Sequence, residues 1–278
     1  MEMSLRYWKW LFVVVIAAGL AGCAASSRAV DAKRQAAVVE APAPRPYLLH
    51  LPGVGGKLRI DGYLLRGLRE GGVDADAEIY DWTCNDPGIN ALHARARNDA
   101  QAQKVADAIT WRFRADPRIK IYLTAHSGGN GIAVWALEKL PPDVKVQAVL
   151  LLAPALSPGY DLSAALRHVR DKVYAFSSPY DSVVLGVGTT LFGTMDGVKV
   201  DAAGRVGFTV PPSADQREYA KLVQKPYDKA WLEWGNIGDH IGAMAMPFAA
   251  HVLAPLLGFG AVNPAAVVGA RVSGQRGS

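Results

Sequence analysis

The chain has 278 residues, half of them hydrophobic and a fifth charged, and carries a formal net charge of +5. That length suffices for one large domain with a buried core, and the composition is that of an ordinary folded protein. Its 30 Lys and Arg residues are scattered, without a basic run or interleaved aromatics, which sets nucleic acid aside as a partner.

The first 23 residues stand apart from the rest. Arg6 and Lys9 give a positive start, residues 11–20 form a short apolar run, and Leu20-Ala21-Gly22-Cys23 closes it. This is the layout of a secretory signal peptide, because the apolar run is too short for a comfortable membrane span. The closing four residues resemble the bacterial lipobox. The resemblance implies cleavage before Cys23, whose sulfur would carry a diacylglyceryl group and anchor the mature chain in a membrane. With Ala24 rather than Asp in the next position, it also implies the outer membrane of the bacterial cell envelope where the organism has one. Residues 1–22 are therefore read as signal peptide. Residues 23–45 are read as the lipidated Cys with a flexible tether rich in Ala, Ser and Pro. The other cysteine, Cys84, is left without an intramolecular partner, so no disulfide framework supports the fold. It lacks a cysteine-enzyme signature and is expected to be a half-buried structural thiol.

A folded domain is expected over residues 46–258, followed by a loose tail at 259–278. Short β-rich runs occur at 47–52 (YLLHLP), 77–82 (AEIYDW), 120–125 (KIYLTA), 146–154 (VQAVLLLAP) and 172–178 (KVYAFSS), with a last one at 229–235 (KAWLEWG). Helices are expected between and after them, at 61–70, 91–114, 130–140, 162–170 and 241–257. The strands are mostly apolar rather than alternating, as when helices cover both faces of a parallel sheet. Strand and helix in turn predict an α/β fold with a doubly wound, mostly parallel sheet. In such sheets ligands gather beyond the carboxyl ends of the strands, which directs attention to the residues after each one.

After 120–125 comes His126-Ser127-Gly128-Gly129, and the frame Ala125-x-Ser127-x-Gly129 puts small residues on both sides of the serine. A sharp strand-to-helix turn strains the residue it presents, and bulky neighbours would clash there. The turn also sets Ser127 at the start of a helix, where free backbone N–H groups stabilise developing negative charge. Two readings stand side by side: an activated nucleophile, or a Gly-rich helix start with Ser as its N-cap. A serine nucleophile needs a base, and the base needs an orienting acid. Asp181 follows the run 172–178. His240 follows the last predicted strand, in the loop Gly235-Asn236-Ile237-Gly238-Asp239-His240. Asp239 adjoins the histidine and is badly placed to orient it, and Asp86 is more remote, so Asp181 is preferred. Chance readily supplies any one of these features and rarely all of them in that order.

The arrangement resembles the α/β-hydrolase superfamily, whose triads run Ser–acid–His on these same loops. The resemblance covers residues 46–258 and rests on arrangement and on the serine turn. It implies Ser127 as nucleophile, Asp181 as orienting acid and His240 as general base. It also implies an oxyanion hole made by the Gly128 amide and one amide of the loop 50–56, with Val54 preferred over Gly53 and Gly55. The chain departs from the pattern at Ala125, where the family has Gly, and at Pro52-Gly53, where it often has His-Gly. There is also no room after the tether for the first strands of the full fold. A trimmed sheet of about six strands is expected, without a large lid domain, since short segments separate the proposed triad members. The implied chemistry is a carboxylesterase-type cleavage of an ester or thioester through an acyl-enzyme on Ser127, acting on a small-molecule acyl substrate without a cofactor. Acyl transfer to an alcohol would use the same intermediate. The rival from another class is a non-catalytic envelope lipoprotein that uses the hydrolase fold to bind a ligand or partner.

The remaining candidates have blander expectations. His126 is expected to line the pocket with its side chain turned from Ser127, and His50 to pack against the core. His93 and His168 are expected on helix surfaces, and His251 in a structural place on the last helix. Neither HExxH nor clustered cysteines occur, so no metal site is expected. The Gly-rich stretch 183–198 reads either as a flexible flank of the pocket or as a further helix, and Trp82 either as a substrate contact or as packing.

Overall fold

The apolar runs lie side by side in one sheet in the computed structural model, which describes residues 42–181 and 193–259. The chain divides into the units Met1–Ala43 and Pro44–Ser278, and every element below lies in the second. Strands β1 (Tyr47–Leu51), β2 (Asp76–Ile79), β3 (Ile121–His126), β4 (Ala148–Leu152), β5 (Val173–Ser177) and β6 (Leu222–Pro226) form a six-stranded sheet in the order β2-β1-β3-β4-β5-β6. Every adjacent pair is parallel. The order changes direction between β1 and β3, and their carboxyl ends flank the crevice where such sheets bind ligands.

β1, β3 and β4 are buried along their whole length, whereas the edge strands β2 and β6 are largely or partly exposed. Helices α1 (Arg59–Glu70), α2 (Ile89–His93), α3 (Arg95–Ala115), α4 (Gly129–Glu138) and α5 (Ser163–Arg167) occupy the connections. Successive strand residues point to opposite faces. Leu49 and Leu123 thus join Ile109 of α3 and Ile132 of α4 in one core, while Leu48 and Tyr122 join Leu64 and Leu68 of α1 in the other. Phe248 and Leu253 of the C-terminal segment complete the second core. Each fully buried Leu contributes about 1.5–3 kcal/mol of transfer free energy. A Cβ added at Gly67 of α1 would stand 2.2 Å from the Met246 carbonyl oxygen, so α1 meets the C-terminal segment where only glycine fits.

Several local expectations are corrected. Residues 229–235 are not a strand: Lys229–Trp234 form a 3-10 helix, opened by Asp228, whose side chain accepts the Ala230 N–H, and closed by Gly235 at φ 79°. Trp231 and Trp234 are three apart, the spacing of one 3-10 turn. Trp231 packs on Phe176 and Phe248, and Trp234 stacks on His251. The sixth strand is β6, whose Gln-Lys-Pro ending suits an edge. The helix expected at 91–114 is two, α2 and α3, parted at Ala94 (φ −74°, ψ 60°). The one expected at 241–257 is a succession of short turns with Pro247 and Pro255 inside it and a π-helical stretch at Ala249–Leu253, since each proline removes a helical donor.

Cys84 is exposed rather than half-buried and sits at φ 58°. His93 is exposed, whereas His168 is half-buried, with Nδ1 2.9 Å from the Val144 carbonyl oxygen. His50 is buried as expected, but in polar contacts. Trp82 packs: it is fully buried and its Nε1–H donates to the Pro52 carbonyl at 2.7 Å. Cys23, the leader, residues 182–192 and residues 260–278 lie outside the described residues. The described remainder of 183–198 makes a turn in which the Thr194 N–H donates to the Val198 carbonyl at 2.9 Å.

Candidate active site

Ser127 stands between the end of β3 and the start of α4 with φ 51°, a left-handed conformation that costs a non-glycine residue about 1–2 kcal/mol. The surroundings hold it there. Its N–H donates to the Leu152 carbonyl at 2.9 Å, and its carbonyl accepts the N–H groups of Asn130 at 3.1 Å and Ala155 at 3.2 Å. Asn130, fully buried and followed by a run of apolar residues, donates from Nδ2 to the carbonyls of Ser127 and Leu152, each at 2.9 Å. A Cβ at Gly129 would lie 2.3 Å from the Leu51 carbonyl oxygen and 2.4 Å from that of Pro52. The helix therefore starts against the end of β1, and the second glycine of the motif is a steric necessity. Ala125, where the related pattern has Gly, is fully buried without difficulty.

The side chains of Ser127, His240 and Asp181 meet. Nε2 of His240 is 2.9 Å from Ser127 Oγ, and its Nδ1–H donates to Asp181 Oδ2 at 2.6 Å. That bond leaves Nε2 as the acceptor for the serine hydroxyl proton. Asp181 is 2% exposed and Ser127 5%, so the hydrogen-bonded chain is shielded from water except at the histidine edge.

The loop carrying His240 is fixed by small residues and amides. Buried Asn236 accepts the Gly238 N–H on Oδ1 at 2.9 Å, and the Tyr227 hydroxyl donates to the Asn236 carbonyl at 3.2 Å. Gly238 has φ 85°, and a Cβ there would come within 3.0 Å of the Tyr180 ring and 3.1 Å of Ser178 Oγ. His126 adds a clamp from the serine side. It lines the cleft as expected, but its Nε2–H donates to the His240 carbonyl at 2.9 Å and its ring lies 4.8 Å from that of His240. Burial pushes the His126 imidazole down to about 3, and the neighbouring His240 pushes it the same way. His126 is therefore uncharged near neutral pH, donates from Nε2 and adds no positive charge beside His240.

The amides of Gly128 and Val54 have no hydrogen-bond acceptor among the described residues. A Cβ at Gly128 would fall 2.5 Å from Val54 Cγ1, so the two residues are in contact beside Ser127. The amides of Gly53 and Gly55 are likewise without acceptor among the described residues. A cleft of about 190 Å³ opens here, walled by Val54, Leu58, Ile60 and Ile241, with Ser127 and His240 in its lining. Among the described residues no group of three or more His, Cys, Asp or Glu side chains is arranged to hold a metal ion. Sequence reasoning missed Asn130, Asn236 and the contact of His126 with His240. The one signal available was a lone Asn three residues after the serine in an apolar helix.

No family model matches the sequence, and no curated protein does. Among solved structures, the fold is similar to that of lipase B from Aspergillus fumigatus, with a TM-score of 0.50 and 16% identity over 80% of this chain and 54% of that one. This chain thus spans about half the length of that lipase. Also similar are a dienelactone hydrolase from Anabaena variabilis (TM-score 0.42, 18% identity, 77% of this chain and 86% of that one) and an acetylxylan esterase (TM-score 0.42, 13% identity, 78% and 97%). At such identities the likeness speaks for architecture, and the six-stranded parallel sheet with its flanking helices is an α/β-hydrolase-type fold.

Proposed function

We propose that this chain is a serine hydrolase that cleaves a carboxylic ester or thioester, with Ser127 as nucleophile, His240 as general base and Asp181 as orienting acid. The observation that carries the reading is the unbroken hydrogen-bonded chain from Ser127 Oγ through His240 to buried Asp181. As Ser127 Oγ bonds to the acyl carbon, its proton passes to Nε2 of His240, and Asp181 holds the resulting imidazolium in place. The carbonyl oxygen takes up negative charge against the Gly128 and Val54 amides. The imidazolium then gives its proton to the leaving alcohol or thiol, and the acyl group remains on Ser127. A water molecule, deprotonated by His240, attacks the acyl-enzyme, His240 returns that proton to Ser127, and the product leaves as the carboxylic acid, which then loses its proton to solvent. The apolar cleft walls suit the acyl side of such a substrate.

The mature chain is proposed to be held at a bacterial envelope membrane by lipid on Cys23. Mass spectrometry of the mature N-terminus in the native chain and in Cys23→Ser tests this. A diacylglyceryl mass that disappears in the variant supports anchoring, and an unmodified Cys23 in the native chain refutes it.

The decisive test of the chemistry is labelling of the full chain in mild detergent by a fluorophosphonate probe, beside Ser127→Ala and His240→Ala. Rapid labelling of the wild type, lost in both folded variants, is expected, with kcat on p-nitrophenyl butyrate reduced by ~10⁴–10⁶. A folded wild type that stays unlabelled would overturn the reading in favour of a binding lipoprotein.

A further inference from the structure

Asp61 stands in the lining of the cleft, and behind it lies a set of buried polar groups that the proton path does not use. His50 on β1 is paired in register with Thr124 on β3, and both are fully buried. Nδ1 of His50 is 2.8 Å from Thr124 Oγ1, and its Nε2–H donates to Asp61 Oδ1 at 2.8 Å. Asp61 is 2% exposed, and its other carboxylate oxygen accepts the Leu58 N–H at 2.6 Å. Taking a carboxylate out of water costs several kcal/mol, and apolar side chains filling the same space would avoid that cost. Such a group needs an account.

The account lies in what the network spans. The loop that carries Val54 leaves β1 immediately after Leu51 and rejoins regular structure at Leu58, the N-cap of α1, whose first turn contains Asp61. His50 sits at the departure point and Asp61 at the return, and the bond between them closes the loop at its base. Thr124 ties the same base to β3, two residues before His126 and three before Ser127. The loop has other supports: Asp81 accepts the Lys57 N–H at 2.9 Å, and the Gly88 N–H donates to the Val54 carbonyl at 2.7 Å. Those supports come from the segment after β2. The Asp61–His50–Thr124 line adds a buried side-chain tie between the base of the loop and the strand that presents the serine, beside the β1–β3 ladder and the contact of Val54 with Gly128.

We propose that Asp61, braced by His50 and Thr124, is a positioning residue that sets the loop 52–58 so that its amides meet the oxyanion formed at Ser127. The proposal rests on the reading of Ser127 as nucleophile. Asp61 touches no reacting atom; it acts through the Leu58 amide and the loop. Oxyanion donors stabilise the transition state more than the ground state, so loosening them lowers kcat while leaving KM nearly unchanged.

The test uses the full chain with p-nitrophenyl butyrate as substrate, comparing wild type, Asp61→Asn and Thr124→Val. Asn at 61 keeps the shape but sets an NH2 group, or a lost acceptor for His50, against the network. Val at 124 keeps the volume and removes the hydroxyl. Asp61→Asn is expected to lower kcat by ~10–100-fold, the scale on which a misplacement of about 1 Å acts, with KM nearly unchanged and fluorophosphonate labelling slowed in proportion. Thr124→Val is expected to do the same to a smaller degree, and the pH midpoint of kcat/KM should stay at the wild-type value in both, because His240 is untouched. Wild-type kcat in folded Asp61→Asn overturns the proposal, as does a raised KM at unchanged kcat, which would make Asp61 a substrate contact. A kcat loss matched by an equal loss of folded protein at the assay temperature also overturns it. Should Asp61→Asn fail to fold, Thr124→Val decides by the same criteria. A wild type inactive toward both ester and probe overturns this proposal together with the serine-hydrolase reading, whereas an active wild type with an indifferent Asp61→Asn overturns this proposal alone.

Discussion

The two sides of the candidate site are held by different means. On the serine side, position is set by backbone: Ser127 is bonded through its own N–H and carbonyl to β4 and to the turn after it, and Gly129 lets α4 rest on the end of β1. On the histidine side, position is set by a loop whose shape depends on Gly238, on the side chain of Asn236 and on the clamp from His126. The difference teaches that Ser127 is part of the core, whereas His240 and Asp181 are brought to it. Damage on the first side should cost fold and activity together, and damage on the second should cost activity alone.

The largest effect is expected on the histidine side. Asp181→Asn should lower kcat by ~10⁴, because the amide no longer holds the imidazole in the tautomer that accepts the serine proton. Its thermal unfolding midpoint should stay close to that of the wild type. A large loss of stability in this variant would erase the distinction between the two sides. Next is Gly129→Ala, whose Cβ would meet carbonyl oxygens at 2.3 and 2.4 Å. Because backbone must move, a loss of about 3 kcal/mol or more is expected in denaturant unfolding, with activity falling in step. A stable, inactive Gly129→Ala would mean that the serine turn is not part of the core.

Smaller effects sharpen the comparison. His126→Phe keeps a ring beside His240 and removes the donor to its carbonyl. Loss of that donor loosens the loop that carries His240, and kcat is expected to fall by roughly tenfold, with His126→Gln recovering part of it. A Phe variant more active than the Gln variant would show that the ring, not the hydrogen bond, matters. The last effect is absent near neutral pH and concerns stability in acid. Since burial lowers His126 from 6.5 to about 3, between those values the unfolded chain binds a proton there that the folded chain does not. Its contribution to stability is therefore fully present above about pH 6.5 and is lost as pH falls toward about 3, with a slope of at most about 1.4 kcal/mol per pH unit. Unfolding curves of wild type and His126→Phe should diverge across that window; parallel curves would refute a neutral buried His126.

The sequence made the serine side legible because its determinants are local. An apolar strand, a turn of small residues and a helix follow one another, so periodicity and turn chemistry suffice for β3, Ser127 and α4. The histidine side depends on contacts distant in sequence. Asn236 and Gly238 read only as loop residues, and the value of His126 arises from a partner more than a hundred positions away. β6 was hidden for a related reason: an edge strand needs little apolar character, while the Trp-rich 229–234 looked more like a strand than it is. The order Ser127, Asp181, His240 was readable without these details, since it needs only that each follow a strand or its neighbourhood. The Asp61–His50–Thr124 line was not, because a strand histidine announces burial and says nothing of what it will bond.

The C-terminal segment has a consequence in time. Its residues Met244, Phe248 and Leu253 seal the core beneath α1, and His240 precedes them directly. A chain made or exported from its N-terminus builds β1, β3 and the serine turn well before this segment exists. Sheet neighbours far apart in sequence form slowly, and an unsealed core favours incomplete packing. Ser127 is then present without its partner His240 in place until the last helical turns emerge and dock. On the proposed reading, a nascent chain still threaded through a ribosome or translocation pore would carry Ser127 unarmed, and reactivity would begin only once this segment has docked.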